Sequence, residues 1–283
     1  MITISGKTKI FGIIGSPIKH SFSPIIHNFL FKKFDIDAVY IPLEVQKDNL
    51  KDFVNGLRTI KNFVGLNVTV PFKNQIAEFI DETSLKSIPI NTIKIVKERI
   101  YGYNTDIYGF KKALLKNFPK FRLKGKSVLL LGAGGAAYAV AISLLESKIK
   151  KLVIANRTVE RVEQLKRYLN KMYKDSSISI KKLQYNILEM LNDDFDLIVN
   201  ATSIGLGNEK SLISFKSSKK GIAYDLIYNP AMTDFLIQAK KEGLKTLNGL
   251  DMLIFQALKS FRIWTGKKPD RYYSDIRSLI IKK

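Results

Sequence analysis

Residues 128–145 read VLLLGAGGAAYAVAISLL. Eighteen residues without a charge reach the length of a membrane-spanning helix. Gly132, Gly134 and Gly135, three glycines in four positions near the front, argue against that reading. A strand, a glycine turn and a helix account for the same letters better. Gly132, Gly134 and Ala137 then carry the G-x-G-x-x-G/A spacing directly after a strand and before a helix. The spacing allows a tight turn, close backbone approach to a pyrophosphate, and a helix N-terminus facing anionic oxygens. On the motif alone, small residues used only for helix–strand packing would serve as well.

The flanking segments decide for the first reading. SVLLLG, KLVIANRT, FDLIVNAT and GIAYDLI are strand-like, and AAYAVAISLLES and RVEQLKRYLNKMY are helix-like. Alternation of this kind predicts a parallel α/β sheet of the mononucleotide-binding type. Upstream, KIFGIIG, AVYIPLEV and FVGLNVTV read as strands. SPIIHNFLFKKF reads as a helix with Ser23 as N-cap, Pro24 at N1 and a stripe of Ile25, Ile26, Phe29 and Leu30. NLKDFVNGLRTI reads as a second helix, and FKNQIAEFI as a third with Ile76, Phe79 and Ile80 inward. INTIKIVKERIYGYNTD has the look of a hairpin or meander. Downstream, GLDMLIFQALKSFRIWTG and YYSDIRSLIIKK are helical and are expected to pack back on the first part.

The 283-residue chain suits one large domain or two ordinary ones, and 46% hydrophobic residues are enough for a real core. With no cysteine, disulfides, thiolate catalysis and Cys-based zinc sites are out, which fits a reducing, cytoplasmic setting. Two histidines, His20 and His27, are too few for a histidine-rich metal site. The formal charge of +22 raises nucleic acid or an anionic membrane as partners, but lysines are spread along the whole chain without a basic block. A compositional drift toward lysine is favoured, with steering of anionic small molecules as a side effect. The short apolar stretch IFGIIG ends at Ser16-Pro17 and makes no convincing signal peptide.

Chemistry enters at the end of the second strand after the glycine turn. An NAD site usually places a carboxylate there for the ribose 2′-hydroxyl. This chain has Asn156, Arg157 and Thr158, with Arg161 one turn on. An arginine fork with a hydroxyl suits a 2′-phosphate, so the letters predict NADP over NAD, although the arginines alone also read as ordinary surface residues. A dinucleotide site implies hydride transfer, and hydride addition to a carbonyl needs a proton donor. Tyr108 and Lys112 have the spacing of the short-chain dehydrogenase pair but precede the glycine turn, so they are rejected. Lys73, in GLNVTVPFK, sits where a helix start would disfavour a cation. Asp106, in YNTD, is a partner anion for it, although Asp before a helix is also a plain N-cap and Lys73 also reads as a solvated lysine. Ser21 and Ser23, at a helix start, can hold a carboxylate, or can simply cap that helix beside a structural His20. His27 is given no catalytic role.

Taken in order, GSPIKHSFSPIIHN, GLNVTVPFK, INT, GYNTD, GAGGAA, NRT, NATSIG, DLIYNP and NGLDMLIFQALKSFRIWTG resemble the shikimate dehydrogenase family over nearly the whole chain. The resemblance implies an α/β fold with an N-terminal substrate domain, a Rossmann-like NADP-binding domain and an active site in the cleft between them. Residues 1–105 with 251–283 would form the first domain and 106–250 the second. It implies reversible, NADP-dependent reduction of 3-dehydroshikimate to shikimate, a step toward aromatic amino acids. Lys73 and Asp106 match the pair usually assigned to proton transfer. Ser21, Ser23, Asn67, Thr69, Lys73, Asn91, Asp106, Tyr228 and Gln256 match the substrate pocket. Gly132, Ala133, Gly134, Gly135, Ala136, Asn156, Arg157, Thr158, Arg161, Thr202, Ile227, Gly249 and Met252 match the cofactor site. No metal, nucleic acid or membrane is expected, and a homodimer stays open. Three departures stand out: IPINT in place of a small pair before the Asn, Tyr138 where an Arg is frequent, and TDFL in place of TPLL. A quinate/shikimate dehydrogenase with relaxed substrate or cofactor choice is the nearest alternative. A nucleic-acid-binding protein and a non-catalytic NADP sensor on the same scaffold are the more distant ones.

Overall fold

The computed structural model describes residues 4–83, 89–173, 178–182, 195–207, 209–211, 213, 215 and 221–282. They divide into two units, residues 1–109 with 254–283, and residues 110–253.

In the first unit, β1 (Lys9–Gly15), β2 (Ala38–Glu44), β3 (Phe63–Val68), β4 (Glu82–Thr83), β5 (Thr92–Val96) and β6 (Arg99–Tyr103) form a sheet of order β2-β1-β3-β5-β6-β4. β1 is parallel to β2 and β3, whereas β5 runs antiparallel to β3 and β6. Successive side chains of a strand face opposite sides. On one side, Ile14, Leu66, Val68, Ile93 and Ile100 pack with Leu50, Val54 and Leu57 of α2 (Leu50–Thr59). On the other, Phe11 meets Phe31 of α1 (Ser23–Lys33) and Trp264 of α7 (Leu250–Thr265), at ring separations of 4.9 and 5.2 Å. The Trp264 indole N–H donates to Ile93 O at 2.7 Å, so the tail helix does pack on the first sheet. α8 (Tyr273–Ile281) follows it and touches α1.

The expected hairpin is present. Lys97 and Glu98 at its tip have φ of 47° and 67°, the left-handed pair of a two-residue type I′ turn. That tip sets Val96 opposite Arg99 and Thr92 opposite Tyr103, which brings Asn91 beside the residues that follow β6.

The second unit holds β7 (Ser127–Leu131), β8 (Lys151–Asn156), β9 (Ile178–Lys182), β10 (Leu197–Asn200), β11 (Ile222–Asp225) and β12 (Lys245–Leu247). All pairs are parallel, in the order β12-β11-β10-β7-β8-β9, the doubly wound dinucleotide-binding arrangement. α4 (Gly135–Glu146) and α5 (Val159–Met172) are the helices read from the letters, and α6 (Asp234–Lys241) buries Phe235, Leu236 and Ala239 against β7, β10 and β11. The uncharged run 128–145 is thus strand, turn and helix. No helix among the described residues is long and apolar enough to cross a membrane.

Two local expectations fail. Residues 72–80 do not form an α-helix: Gln75–Phe79 make a single 3-10 turn, closed by Ile80 N donating to Ala77 O. A helix this short is marginal without packing, and only Ile76 of its three apolar residues is fully buried. Ser23 is not the N-cap of α1. Phe22 holds that position, so Pro24 is the second helical residue, and Ser21 Oγ accepts from Ser23 N at 3.3 Å. The expected stripe shifts accordingly: Ile26 and Leu30 are buried with His27 and Phe31, while Ile25 and Phe29 are only half-buried.

Candidate active site

Lys73 lies in the turn between β3 and the 3-10 turn. Buried Phe72 anchors this turn, and Ile90 N donates to Lys73 O at 2.9 Å. Without an α-helix here, no helix start opposes the lysine, and a carboxylate holds it instead. Lys73 Nζ donates to Asp106 Oδ2 at 2.6 Å, with side chains 17% and 8% exposed. The lysine side chain is therefore not sealed from solvent.

Asp106 opens α3 (Asp106–Asn117), and its two oxygens face Lys73 and Asn91. Its Oδ1 accepts from Asn91 Nδ2 at 2.8 Å. Asn91 is locked in turn: its Oδ1 accepts from Thr105 N at 2.7 Å and Thr92 Oγ1 at 3.1 Å. Thr92 Oγ1 lies 2.8 Å from Ser260 Oγ, and Thr105 Oγ1 lies 3.1 Å from the same atom and 3.4 Å from Gln256 Oε1. Asn67 Nδ2 donates to Asn91 O, Thr92 Oγ1 and Ser260 Oγ, and Tyr40 OH donates to Asn67 Oδ1 at 2.7 Å. One buried network therefore runs from β2 through β3, β5 and α7 to the ion pair. Buried polar groups in a satisfied network hold single orientations, which is what a positioned proton donor needs.

The other substrate-side residues stand as follows. Thr69 is half-buried at the end of β3, its amide donating to Ile14 O at 2.9 Å. Ser21 is half-buried, and the Ser23 amide occupies a lone pair of its oxygen but not its proton. Ser23 is buried, its hydroxyl bonded to Tyr40. His20 is exposed instead of structural. His27 is fully buried, stacked on Tyr40 at 4.5 Å, with neither ring nitrogen in a well-formed hydrogen bond. Burial drives its imidazole down to about 3, against a slight opposing pull from the Asn67 side chain. Tyr228, in the second unit, is half-buried, and burial pushes its phenol up. Pro89 of the divergent IPINT segment is buried, and Ile88 lies outside the described residues.

In the second unit, the turn after β7 tests the packing explanation for the glycines. Gly132 has φ +107°, and a Cβ there would come within 2.9 Å of Ala201 O at the end of β10. The fold itself requires this glycine. Gly134 is different: its φ of −87° suits any residue, and an added Cβ would meet nothing within 4 Å. It is the N-cap of α4, with no side chain capping the helix amides. A glycine that the protein does not need, at an open helix start, fits a ligand backbone or phosphate passing close by. Gly135 and Ala136 follow half-buried and Ala133 is buried, while Ala137 packs α4 on its strand.

Asn156 Nδ2 donates to Thr158 O at 2.9 Å, and Thr158 is the N-cap of α5 without using its hydroxyl for the cap. Arg157 and Arg161 are exposed and pair with no carboxylate among the described residues. Tyr138 packs on Tyr168 of α5 at 5.6 Å. Thr202 Oγ1 donates to Asn200 Oδ1 at 2.7 Å and lines the Gly132 turn. Ile227 O accepts from Gly249 N at 2.9 Å, and Met252 is buried one turn on. Asp225, which the letters did not single out, ties these loops together. It accepts from Thr233 Oγ1 at 2.6 Å, Ile227 N at 3.0 Å and Asn200 Nδ2 at 3.1 Å, and burial raises its carboxyl above the usual range. The described residues contain no group of three or more His, Asp or Glu that could hold a metal.

Three family models match the chain: the shikimate dehydrogenase substrate binding domain over residues 13–96, shikimate/quinate 5-dehydrogenase over 113–213, and the shikimate 5′-dehydrogenase C-terminal domain over 249–272. Shikimate dehydrogenase (NADP(+)) of Pyrococcus furiosus is 41% identical over 271 residues, 94% of each chain. A crystal structure of a shikimate dehydrogenase in complex with NADP+ superposes with a TM-score of 0.88 at 36% identity, covering 99% of this chain and 97% of that one. The Thermus thermophilus shikimate 5-dehydrogenase in complex with NADP(H) and shikimate gives 0.78 at 31% identity, covering 96% and 98%.

Proposed function

The chain belongs to the shikimate dehydrogenase family, and from that premise we infer that it is an NADP-dependent shikimate dehydrogenase, an oxidoreductase of the shikimate pathway. It interconverts 3-dehydroshikimate and shikimate. The observation that carries the mechanism is the Lys73–Asp106 ion pair at 2.6 Å, held by Asn91 and partly open to water.

When bound, NADPH supplies the hydride that adds to the ring carbonyl carbon. Lys73 Nζ delivers a proton to the oxygen of that carbonyl as negative charge develops on it, and Asp106 keeps the ammonium aimed. In the reverse direction the neutral amine takes the hydroxyl proton back. Acid–base help of this kind contributes about 10²–10⁴-fold. Ser21, whose proton is uncommitted, donates to the substrate carboxylate, and Thr69 and Gln256 complete the wall. Asn67 and Asn91 act mainly by fixing their neighbours, since their amides are already engaged. The Gly134 turn and α4 amides would hold the pyrophosphate, and Arg157, Thr158 and Arg161 the 2′-phosphate. An unneeded glycine and two exposed arginines that pair with no carboxylate among the described residues support that fit.

Absorbance of reduced nicotinamide, followed with shikimate or quinate and with NADP or NAD, tests the assignment. Turnover with shikimate and NADP well above the other pairs is expected. No absorbance change with shikimate would refute it.

A further inference from the structure

Asn104, Thr105 and Asp106 are three consecutive residues whose side chains all make good helix caps. Only the first takes that job. Asn104 Oδ1 accepts from Asp106 N at 3.0 Å and from Ile107 N at 3.3 Å, the first two amides of α3. Thr105 Oγ1 faces Asn91, Gln256 and Ser260 instead, and the Asp106 carboxylate faces Lys73 and Asn91. Asn104 also reaches the other side of the site, where its Nδ2 donates to Pro89 O at 2.6 Å. Pro89 is two residues before Asn91, and the intervening Ile90 N holds Lys73 O. The Asn104 side chain therefore touches both segments that frame the ion pair.

We propose that Asn104 is a positioning residue for the acid–base pair: it caps α3 so that Asp106 does not. Unsatisfied amides at a helix start attract the nearest carboxylate. Without Asn104, that carboxylate is Asp106, which sits in the first turn of the same helix. A rotated Asp106 leaves Lys73 unaimed and Asn91 without its acceptor. The inference rests on the dehydrogenase reading for its kinetic consequence, but its structural consequence is independent of any activity.

The test is Asn104→Ala, with Asn104→Ser restoring a hydroxyl acceptor at the same place. With shikimate and NADP, the alanine variant is expected to lose about 10- to 100-fold in kcat, the scale of a misplaced catalytic group, with KM for NADP unchanged. The serine variant should return to within about threefold of the parent. A cap that served only stability would lower the unfolding temperature of the alanine variant while leaving its kcat at the parent level. Should the alanine variant not fold, Asn104→Gly removes the same acceptor at a smaller cost to helix capping. A crystal structure of the variant is the second arm. It should show Asp106 bonded to the amides of Ile107 or Tyr108 and withdrawn from Lys73. Parent-like kcat in the alanine variant, or an Asp106 still seated on Lys73 and Asn91, overturns the proposal. An inactive parent enzyme would refute the dehydrogenase reading instead, and the crystal structure would still decide this one.

Discussion

Replacing Lys73 with methionine separates what the ion pair does for turnover from what it does for the fold. At 2.6 Å and an effective dielectric near 20, the gross attraction is about 6 kcal/mol. Most of it is cancelled by the desolvation of two charges that are 17% and 8% exposed. Removing one partner of a fully buried pair costs about 3–5 kcal/mol. Because Lys73 keeps some water and Asp106 keeps Asn91, about 2 kcal/mol is expected here. The effect on turnover should be larger, about 10²–10⁴-fold in kcat, or about 3–5 kcal/mol of barrier. Adding Asp106→Asn to the methionine variant removes the stranded carboxylate, so stability should recover toward the parent while kcat stays low. The measurements are urea unfolding and shikimate-dependent absorbance of reduced nicotinamide on the parent, both singles and the double. A Lys73→Met enzyme with parent-like kcat would end the proton-donor role. A double variant that regains turnover along with stability would show that the pair matters only structurally.

The other expectations concern separate parts of the molecule. Gly134→Val should still fold, at a cost of about 1 kcal/mol for a poorer N-cap, because an added Cβ meets no protein atom within 4 Å, yet should raise KM for NADP at least about tenfold in steady-state kinetics. Arg157→Ala should raise KM for NADP by about 10- to 100-fold, the worth of a charge-assisted hydrogen bond, and leave any activity with NAD unaltered. His27 titrates near 6.5 when unfolded and about 3 when buried, so the folded state binds the proton less well. The stability this confers is complete above pH ~6.5 and drains at about 1.4 kcal/mol per pH unit as pH falls toward 3. Urea midpoints measured between pH 7 and pH 4 should fall accordingly, and His27→Phe should flatten that part of the profile. Finally, with +22 formal charge and anionic reactants, kcat/KM should drop as salt is raised at constant pH.

Strand and helix identities in the second unit were legible because period and punctuation agree there: β7, β8, β10 and β11 are uninterrupted apolar runs, as strands buried on both faces must be. β9 and β12 escaped notice, being five and three residues with weak patterning. Residues 72–80 misled because Ile76, Phe79 and Ile80 have helical spacing, whereas burial of Phe72 and the bond from Ile90 to Lys73 fix the local path. Lys73 was singled out for a dipole it does not meet, and the carboxylate partner, visible in YNTD, was the sounder half of that reasoning. Asn104, Thr92, Ser260 and Tyr40 could not be found from spacing, since their roles depend on contacts between residues up to 193 positions apart. The run of three capping residues in NTD was the one local clue, two more than a single helix start needs.

Trp264, Phe261 and their neighbours cover the aromatic side of the first sheet, yet a ribosome adds them only after the entire second unit has been made. Until then Phe11, Phe31 and His27 lack the ring contacts that Trp264 and Phe261 give them. At about 5–20 residues per second, the 144 residues from 110 to 253 take many seconds to emerge. The nascent chain therefore presents a partly uncovered apolar face during that interval, the stage of synthesis at which it is most prone to aggregate.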